Sequence, residues 1–151
     1  MKTEVKRILI VDDSTKDVEL TIAALAEKKL ANEVVVAEDG VEAIDYLHRR
    51  GKFANYDNGN PAVILLDIKM PRMNGIEVLK YIRSEPKFKL IPVIMVTSSA
   101  EERDLVESYK LGANSYVVKP VDIVQFIDAI SSLGQYWAII NQAPPKSLLA
   151  D

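Results

Sequence analysis

The chain has 151 residues, a length that fits one domain with a single hydrophobic core. Hydrophobic residues make up 48% of the sequence, charged residues 27%, and the net charge is −3, which indicates a folded globular protein and excludes a disordered chain. The absence of cysteine excludes disulfide frameworks, thiolate metal sites and cysteine nucleophiles, and no basic cluster predicts nucleic-acid binding. No signal peptide or membrane span is predicted, so we expect a cytoplasmic protein.

Five short segments rich in valine and isoleucine are predicted to form β-strands. They are Arg7–Val11, Glu33–Ala37, Ala62–Leu66, Ile91–Thr97 and Ser115–Val118. The third and fourth are apolar almost throughout, which is typical of strands that are covered on both faces in a parallel sheet. Helical segments follow the strands, so the chain is predicted to be an α/β protein whose parallel sheet lies between layers of helices.

The predicted helices have apolar residues at helical spacing. These residues are Val18, Ile22 and Leu25 in the first helix, Val41, Ile44 and Leu47 in the second, Ile76, Leu79 and Ile82 in the third, and Ile123, Phe126, Ile127 and Ile130 in the fifth. Asp39 and Asn74 are predicted to cap the second and third helices. The fourth helix is expected to open with the acidic pair 101–102 and to end at Gly112.

Polar side chains stand at the carboxyl ends of four predicted strands, where ligands bind in open α/β sheets. Asp12 and Asp13 follow the first strand, Asp67 follows the third, Thr97 ends the fourth and Lys119 follows the fifth. Three carboxylates in one small crevice repel each other unless a cation lies among them. Oxygen ligands without cysteine favour Mg²⁺ over zinc or copper, so the three aspartates are predicted to form a magnesium site.

Asp67 is also a candidate nucleophile. It precedes an irregular loop that contains Pro71 and Gly75. A carboxylate in this position can attack phosphorus and form an aspartyl phosphate. Mg²⁺ and Lys119 would neutralise the phosphoryl oxygens, and Thr97 would donate its hydroxyl hydrogen to one of them. The pattern therefore predicts phosphoryl transfer.

Four stretches of the chain resemble the receiver domain of two-component response regulators, and they occur in the order found in that family. The stretches are ILIVDDS (8–14), VILLDIKMPRMNG (63–75), VIMVTSS (93–99) and GANSYVVKP (112–120). The resemblance implies a flavodoxin-like, doubly wound (βα)5 fold with strand order 2-1-3-4-5 and five flanking helices. We expect one receiver domain over residues 1–141, including an extended last helix, and a C-terminal tail over 142–151.

The resemblance also implies a role for each residue of the metal site. Asp67 would be the phosphoacceptor, and Asp13 would bind Mg²⁺ directly with the assistance of Asp12. The backbone carbonyl of Lys69 would complete the share of the metal shell that the protein supplies. Mn²⁺ is expected to substitute for Mg²⁺.

Further roles concern the phosphoryl group and the response to it. The resemblance implies that Thr97 and Lys119 contact the phosphoryl group, and that the Lys119–Pro120 peptide bond is cis, which is uncommon. Tyr116 matches the switch aromatic of the family, which turns inward when the Thr97 hydroxyl is drawn to phosphate. From spacing alone, ordinary strand packing of Tyr116 remains an alternative.

Two features resemble single-domain regulators that pair with cyanobacterial and bacterial phytochrome kinases. One is the long polar segment 49–60 after the second helix, and the other is the continuation of the fifth helix through Tyr136 and Trp137. A sensor histidine kinase, of which a phytochrome is a candidate, is therefore the expected partner. Leu133, Trp137 and Ile140 extend the apolar stripe, which predicts a homodimer through the fourth helix, fifth strand and fifth helix. The alternative is that this segment folds back onto its own domain.

Two other functions are less compatible with the sequence. Haloacid-dehalogenase-like phosphatases need an acid two residues after the nucleophile, where this chain has Lys69. A nucleotide- or flavin-binding module would need a glycine-rich turn after the first strand, where this chain has an acidic one. The receiver match leaves little chain for a DNA-binding output domain. We therefore expect a phosphorylatable switch that docks to an unidentified protein, and not an enzyme with turnover.

The only histidine, His48, invites comparison with phosphorelay histidines. It lies one residue beyond the apolar positions of the second helix, so a solvated helix residue is expected instead. Glu38 and Asp39, at the end of the second strand, are expected to be a loop residue and a cap.

Overall fold

The computed structural model describes residues 7–27, 33–56, 59–98, 101–119 and 124. Its strands are β1 (Arg7–Val11), β2 (Glu33–Ala37), β3 (Val63–Leu66), β4 (Val93–Thr97) and β5 (Ser115–Val118). Its α-helices are α1 (Thr15–Glu27), α2 (Gly40–His48), α3 (Gly75–Ser84) and α4 (Glu102–Lys110), and a 3-10 helix spans Gly51–Phe53. Within these ranges no helix has the length and apolar character needed to cross a membrane.

The five strands form one parallel sheet in the order β2-β1-β3-β4-β5, which confirms the predicted sheet. β3 and β4 begin later than the sequence pattern suggested, at Val63 and Val93 rather than at Ala62 and Ile91. Pro92 explains part of this difference, because it has no N–H to donate to a ladder. The N–H of Val93 then donates to the Asn114 side chain at 2.9 Å.

The sheet separates two apolar layers. Alternate strand residues point to opposite faces, so Leu9 and Ile64 pack on the side of α2 and α3, whereas Ile8 and Leu65 pack on the side of α1. All four side chains are buried. Burial on both faces accounts for the unbroken apolar runs in the sequence.

The buried face of α1 differs by one position from the prediction. Val18 and Leu25 are buried as expected, but Ile22 is 37% exposed and Thr21 is 5% exposed. A threonine is accommodated on the buried face because its hydroxyl donates to the Asp17 carbonyl at 3.0 Å. The helical spacing was thus interpreted correctly, but the polar hydroxyl concealed a buried position.

The segment after α2 is less polar in its contacts than in its sequence. Phe53 is buried, and its ring meets the rings of Tyr46 and Tyr56 edge-on, with centroids 5.4 and 5.3 Å away. The guanidinium of Arg49 lies 4.2 Å from the Tyr46 ring centroid. Aromatic packing and this cation–π contact fold the segment onto the end of α2.

Several predictions concern residues outside the described ranges. They are the fifth helix and its extension, the tail 142–151, the cis peptide bond at Pro120, and the dimer contact of Tyr136 and Trp137. The domain boundary at 141 belongs with them. The described residues contain five strands and four α-helices.

Candidate phosphoacceptor and metal site

The backbone ladder places two aspartates side by side just beyond the carboxyl edge of the sheet. The Asp12 N–H donates to the Ala37 carbonyl at 3.0 Å, and the Asp67 N–H donates to the Val11 carbonyl at 2.9 Å. The pairing of β1 with both β2 and β3 thus continues one residue past each strand end. This position leaves the two carboxylates at the edge of the sheet and largely buried.

Asp12, Asp13 and Asp67 form the acidic cluster that the sequence predicted. Each offers a carboxylate oxygen, and these three oxygens lie within 4.8 Å of one another. Asp12 and Asp67 are buried, whereas Asp13 is exposed at the mouth of the site. Such a set of hard oxygen donors, one of them open to solvent, fits Mg²⁺ or Mn²⁺, which retain water ligands.

Lys119 reaches into this cluster from the end of β5. Its Nζ lies 2.7 Å from Asp12 Oδ2, 3.4 Å from Asp67 Oδ2 and 3.0 Å from Asp17 Oδ2. The side chain is only 8% exposed, which excludes an ordinary surface lysine. One ammonium group therefore contacts three carboxylates, and the nearby Asp13 adds a fourth, so the site keeps an excess of negative charge.

Burial and the ammonium group shift the titration of these side chains. Burial raises the pKa of Asp12 above its ordinary value, although hydrogen bonds from Lys119 and Ser14 oppose the shift. Burial by itself would lower the pKa of Lys119, but hydrogen bonds to Asp12 and Asp17 outweigh it and raise that pKa. The hydrogen bond from Lys119 also lowers the pKa of Asp17. Lys119 is therefore charged at neutral pH.

Asp17 is a member of the site that the sequence analysis missed. It lies in the first turn of α1, where an acid is already explained by the helix dipole. That ordinary explanation concealed its contact with Lys119. The available signal was its place in the first turn of α1, because that turn directly follows the acidic pair at the end of β1.

A tight turn after β3 fixes the backbone around Asp67. The Ile68 N–H donates to Asp67 Oδ1 at 2.8 Å, and the Gly75 N–H donates to the Ile68 carbonyl at 2.8 Å. A Cβ atom at position 75 would lie 1.9 Å from the Asp67 carbonyl oxygen, so only glycine fits there. The loop that leaves Asp67 thus returns to contact it at the start of α3.

Thr97 and Tyr116 occupy the last two strands beside this cluster. Thr97 is fully buried, and its carbonyl accepts the Lys119 N–H at 2.7 Å. Tyr116 pairs in register with Met95 and packs, partly buried, against the core. The roles predicted for Thr97 and Tyr116 are taken up below as proposals.

A cleft of about 440 Å³ opens beside the acidic cluster. Asp13 lines it together with Lys69 and Asn74 from the β3–α3 loop and with Glu101 and Arg103 from the start of α4. A small phosphodonor or the side chain of a partner protein has room to approach the carboxylates through this cleft.

Two residues have contacts that the sequence did not predict, His48 at the last position of α2 and Asp39 at its start. His48 is not a freely solvated residue, since its Nε2 lies 2.5 Å from the Tyr81 hydroxyl and its ring meets Phe88 edge-on. Partial burial lowers the pKa of His48. Asp39 caps α2 as predicted, with Oδ1 accepting the Glu42 N–H at 2.9 Å. It also binds Arg72, a contact that the sequence did not indicate.

The order of the five strands and the acidic cluster at their carboxyl edge define a receiver domain. Residues 8–131 match the family described as response regulator receiver domain, and the chain belongs to that family. It is a phosphoacceptor domain of two-component signalling.

The similar proteins include regulators associated with phytochromes. The response regulator Rcp1 of Synechocystis sp. is 33% identical over 132 residues, which cover 87% of this chain and 88% of Rcp1. The structure of its Mn²⁺-bound form has a TM-score of 0.73 at 32% identity, covering 87% of this chain and 94% of that one.

Two further solved structures are similar over most of the chain. The bacteriophytochrome response regulator RtBRR has 52% identity and a TM-score of 0.81, covering 96% of this chain and 89% of that one. The phosphorylated cyanobacterial phytochrome response regulator RcpA has 36% identity and a TM-score of 0.74, covering 89% of this chain and 94% of that one. This receiver domain is thus closely related to phytochrome response regulators.

Proposed function

We propose that Asp67 accepts a phosphoryl group from the phosphohistidine of a sensor histidine kinase, and that the kinase is a bacteriophytochrome. The observation that carries this proposal is the position of Lys119 Nζ, within 3.4 Å of both Asp12 and Asp67 at the carboxyl edge of the sheet. A buried amine shared by two acids provides an anion-binding site next to a nucleophile. The phytochrome assignment rests on the similarity to RtBRR and RcpA.

The transfer exchanges one bond to phosphorus for another. A carboxylate oxygen of Asp67 attacks phosphorus, a P–O bond forms, and the P–N bond to the kinase histidine breaks. The imidazole leaves with the bonding electron pair and takes up a proton. Lys119 donates hydrogen bonds to the phosphoryl oxygens and exchanges its contact with Asp67 for one with the phosphoryl group.

Asp12, Asp13, Asp67 and the backbone carbonyl of Lys69 would hold a divalent cation, Mg²⁺ or Mn²⁺. When it is bound, the cation supplies positive charge that balances the phosphoryl oxygens. The excess of carboxylates over amines in the cluster is consistent with this requirement. Because Asp13 is exposed, its carboxylate is best placed to replace a water ligand of the incoming cation.

Phosphorylation acts as a switch in this proposal. The Thr97 hydroxyl donates to a phosphoryl oxygen, and Tyr116 moves further into the core beside β4. The expected output is a change in the surface formed by α4 and β5, where Leu105, Val106 and Tyr109 are exposed. The domain releases its phosphate only slowly, by attack of water on phosphorus, and so is not an enzyme with turnover.

We also retain the homodimer through α4, β5 and the segment that contains Tyr136 and Trp137 as a proposal. The exposed apolar side chains of α4 support it, since they lie on the face that the dimer would cover. Light scattering tests it: Trp137→Ala should lower the measured mass towards that of a monomer. We also propose a cytoplasmic location, from the same similarity to phytochrome response regulators that supports the kinase partner.

Asp67→Asn tests the proposed function directly. The variant should lose labelling by acetyl phosphate in the presence of Mg²⁺, because an amide oxygen is a poor nucleophile toward phosphorus. Asp45→Asn is the matched control, since Asp45 lies on the exposed face of α2 and pairs with Arg50 there. Intact-protein mass spectrometry should find one added phosphoryl group on the control. Stoichiometric labelling of Asp67→Asn would contradict the proposal.

A further inference from the structure

Arg72, in the loop between β3 and α3, has an unusual backbone conformation. Its φ is +66°, and among the described non-glycine residues only Arg49 shares a positive φ. The left-handed region costs a residue with a Cβ atom roughly 1 kcal/mol, and arginine has no short polar side chain to offset that cost locally. A tight turn, in which the Met73 N–H donates to the Pro71 carbonyl at 2.7 Å, holds this conformation together with the contacts made by the Arg72 side chain.

Those contacts are made with Asp39, at the end of β2. Arg72 Nε and Nη2 each lie 2.7 Å from Asp39 Oδ2. The other oxygen of the same carboxylate accepts the Glu42 N–H and so caps α2. Both oxygens of Asp39 are therefore held, which makes this carboxylate a rigid anchor for the guanidinium.

The same loop is held at two other points. At its far end, Gly75 leaves no room for a Cβ atom beside the Asp67 carbonyl, as described above. In its middle, the Met73 carbonyl oxygen would lie 2.3 Å from a Cβ at Gly40, the first residue of α2. The loop is thus pressed against α2 on one side, while Lys69 and Asn74 line the cleft beside Asp13 on the other.

We propose that the Arg72–Asp39 ion pair positions the β3–α3 loop for metal binding, so that Arg72 and Asp39 are positioning residues for the divalent cation. The inference rests on the proposed function, because it assumes that this loop supplies a backbone ligand at Lys69. The pair sets the loop against the end of β2, whose neighbour β1 carries the acidic pair. Metal affinity then depends on a contact outside the acidic cluster.

Electrostatics and positioning predict opposite signs for the removal of Arg72. Arg72 is a cation near an acidic site, so its removal would by charge alone tighten the binding of Mg²⁺. Loss of the loop position would instead weaken it, and lost outer contacts of metal sites cost about tenfold in affinity at the lower end of their range. The direction of the change therefore separates the two effects.

The experiment measures Mg²⁺ affinity by calorimetry on the unphosphorylated 151-residue chain. Arg72→Gln should bind Mg²⁺ about tenfold more weakly. Arg72→Lys retains the charge but loses the two-nitrogen contact. Its Mg²⁺ affinity should therefore lie between those of the unaltered protein and Arg72→Gln. Arg50→Gln is the matched control, since it breaks an exposed pair between Arg50, which follows α2, and Asp45 of α2, and should leave the affinity unchanged.

A second measurement separates positioning from a loss of folding. Hydrogen exchange of the Gly75 amide, which donates to the Ile68 carbonyl, should be faster in Arg72→Gln without metal. Asp39→Asn keeps a good helix cap and should show the same two changes. An Arg72→Gln protein that is folded and binds Mg²⁺ as tightly as the unaltered protein, or more tightly, overturns the inference.

The proposed function fails in a different way. If the unaltered protein does not bind Mg²⁺, or if Asp13→Asn binds it unchanged, the metal site itself is wrong and the inference falls with it. If Asp13→Asn loses binding while Arg72→Gln retains it, only the inference is overturned.

Discussion

Two cationic side chains, Lys119 and Arg83, lie at opposite edges of the same sheet. Lys119 stands at the carboxyl edge and contacts the carboxylates of Asp12, Asp17 and Asp67. Arg83, at the end of α3, donates to main-chain carbonyls at the amino edge, among them Ile91 at 2.7 Å and Gly112 at 2.8 Å. Both connect segments that are distant in sequence.

The difference lies in the charge of the acceptors. Carbonyl oxygens are neutral, so the hydrogen bonds of Arg83 satisfy the ends of β4 and α4 and leave no negative charge that needs a counterion. At the other edge, the buried Asp12 and Asp67 and the half-buried Asp17 share one ammonium group, and the exposed Asp13 adds a further negative charge. A structural clamp is satisfied by its own contacts, whereas the acidic site is complete only with a further cation.

Removal of Lys119 should produce the largest change in stability. Lys119→Met leaves buried carboxylates without their ammonium partner, which should cost roughly 3 kcal/mol in the free energy of unfolding without metal. Mg²⁺ should then bind more tightly and recover part of that loss, because the repulsion among the acids has grown. Urea unfolding with and without Mg²⁺ measures both effects. Lys52→Met, which breaks the pair between the exposed Lys52 and Glu42, is the control.

A Lys119→Met protein as stable as the unaltered one would contradict the buried ion pair. It would also remove the difference between the two edges. The stability change on removing either cation would then be independent of Mg²⁺.

Removal of Arg83 should destabilise the protein without affecting the metal site. Arg83→Met leaves several main-chain carbonyls at the amino edge without this donor, and the expected loss is about 2 kcal/mol because water can reach part of this site. Mg²⁺ affinity and labelling by acetyl phosphate should be unchanged. A change in Mg²⁺ affinity would mean that the two edges are coupled, against the comparison drawn above.

Asp12→Asn should have a smaller effect. It should not lower the stability of the metal-free protein, but it should lower the affinity for Mg²⁺. The amide removes one negative charge from the cluster, so the metal-free protein should be no less stable than before. Mg²⁺ should bind about tenfold more weakly, and labelling should slow without being lost. Calorimetry and a labelling time course check this. Labelling at the original rate would show that Asp12 does not assist the metal.

The smallest expected effect is the pH dependence contributed by His48, which lies at the end of α2 and contacts Tyr81 of α3. Burial lowers its pKa in the folded state. The unfolded chain therefore binds the proton more readily, and stability should fall as pH drops through the unfolded value of about 6.5. His48→Gln should remove this part of the dependence. Equal slopes of unfolding free energy against pH in both proteins would contradict it.

Sequence periodicity located the sheet and the acidic site with few errors. Strand ends are marked by a change from apolar to charged residues, and this change predicts that Asp12, Asp67 and Lys119 lie at one edge. Capping residues were equally legible: Asp39 and Asn74 cap their helices through the N–H groups of Glu42 and Glu77. Local rules suffice where one residue type has one structural consequence.

The errors concern residues that have two compatible explanations. Asp17 suits the first turn of a helix, so its contact with Lys119 was not foreseen. Ile22 is apolar and correctly spaced, yet Thr21 takes the buried place because its hydroxyl finds a carbonyl within its own helix. The position of Arg72 follows from a φ angle and a partner 33 residues away, neither of which is visible in a local pattern.

The most direct test of the phosphoacceptor site is the location of the phosphoryl group and its dependence on metal. The unaltered protein is incubated with acetyl phosphate, with Mg²⁺ or with a chelator, and its peptides are analysed by mass spectrometry. We predict a single modified peptide, the one that contains Asp67, when Mg²⁺ is present. We predict no modification when the chelator replaces Mg²⁺. A phosphoryl group on another residue, or equal labelling without a divalent cation, would contradict the proposed site.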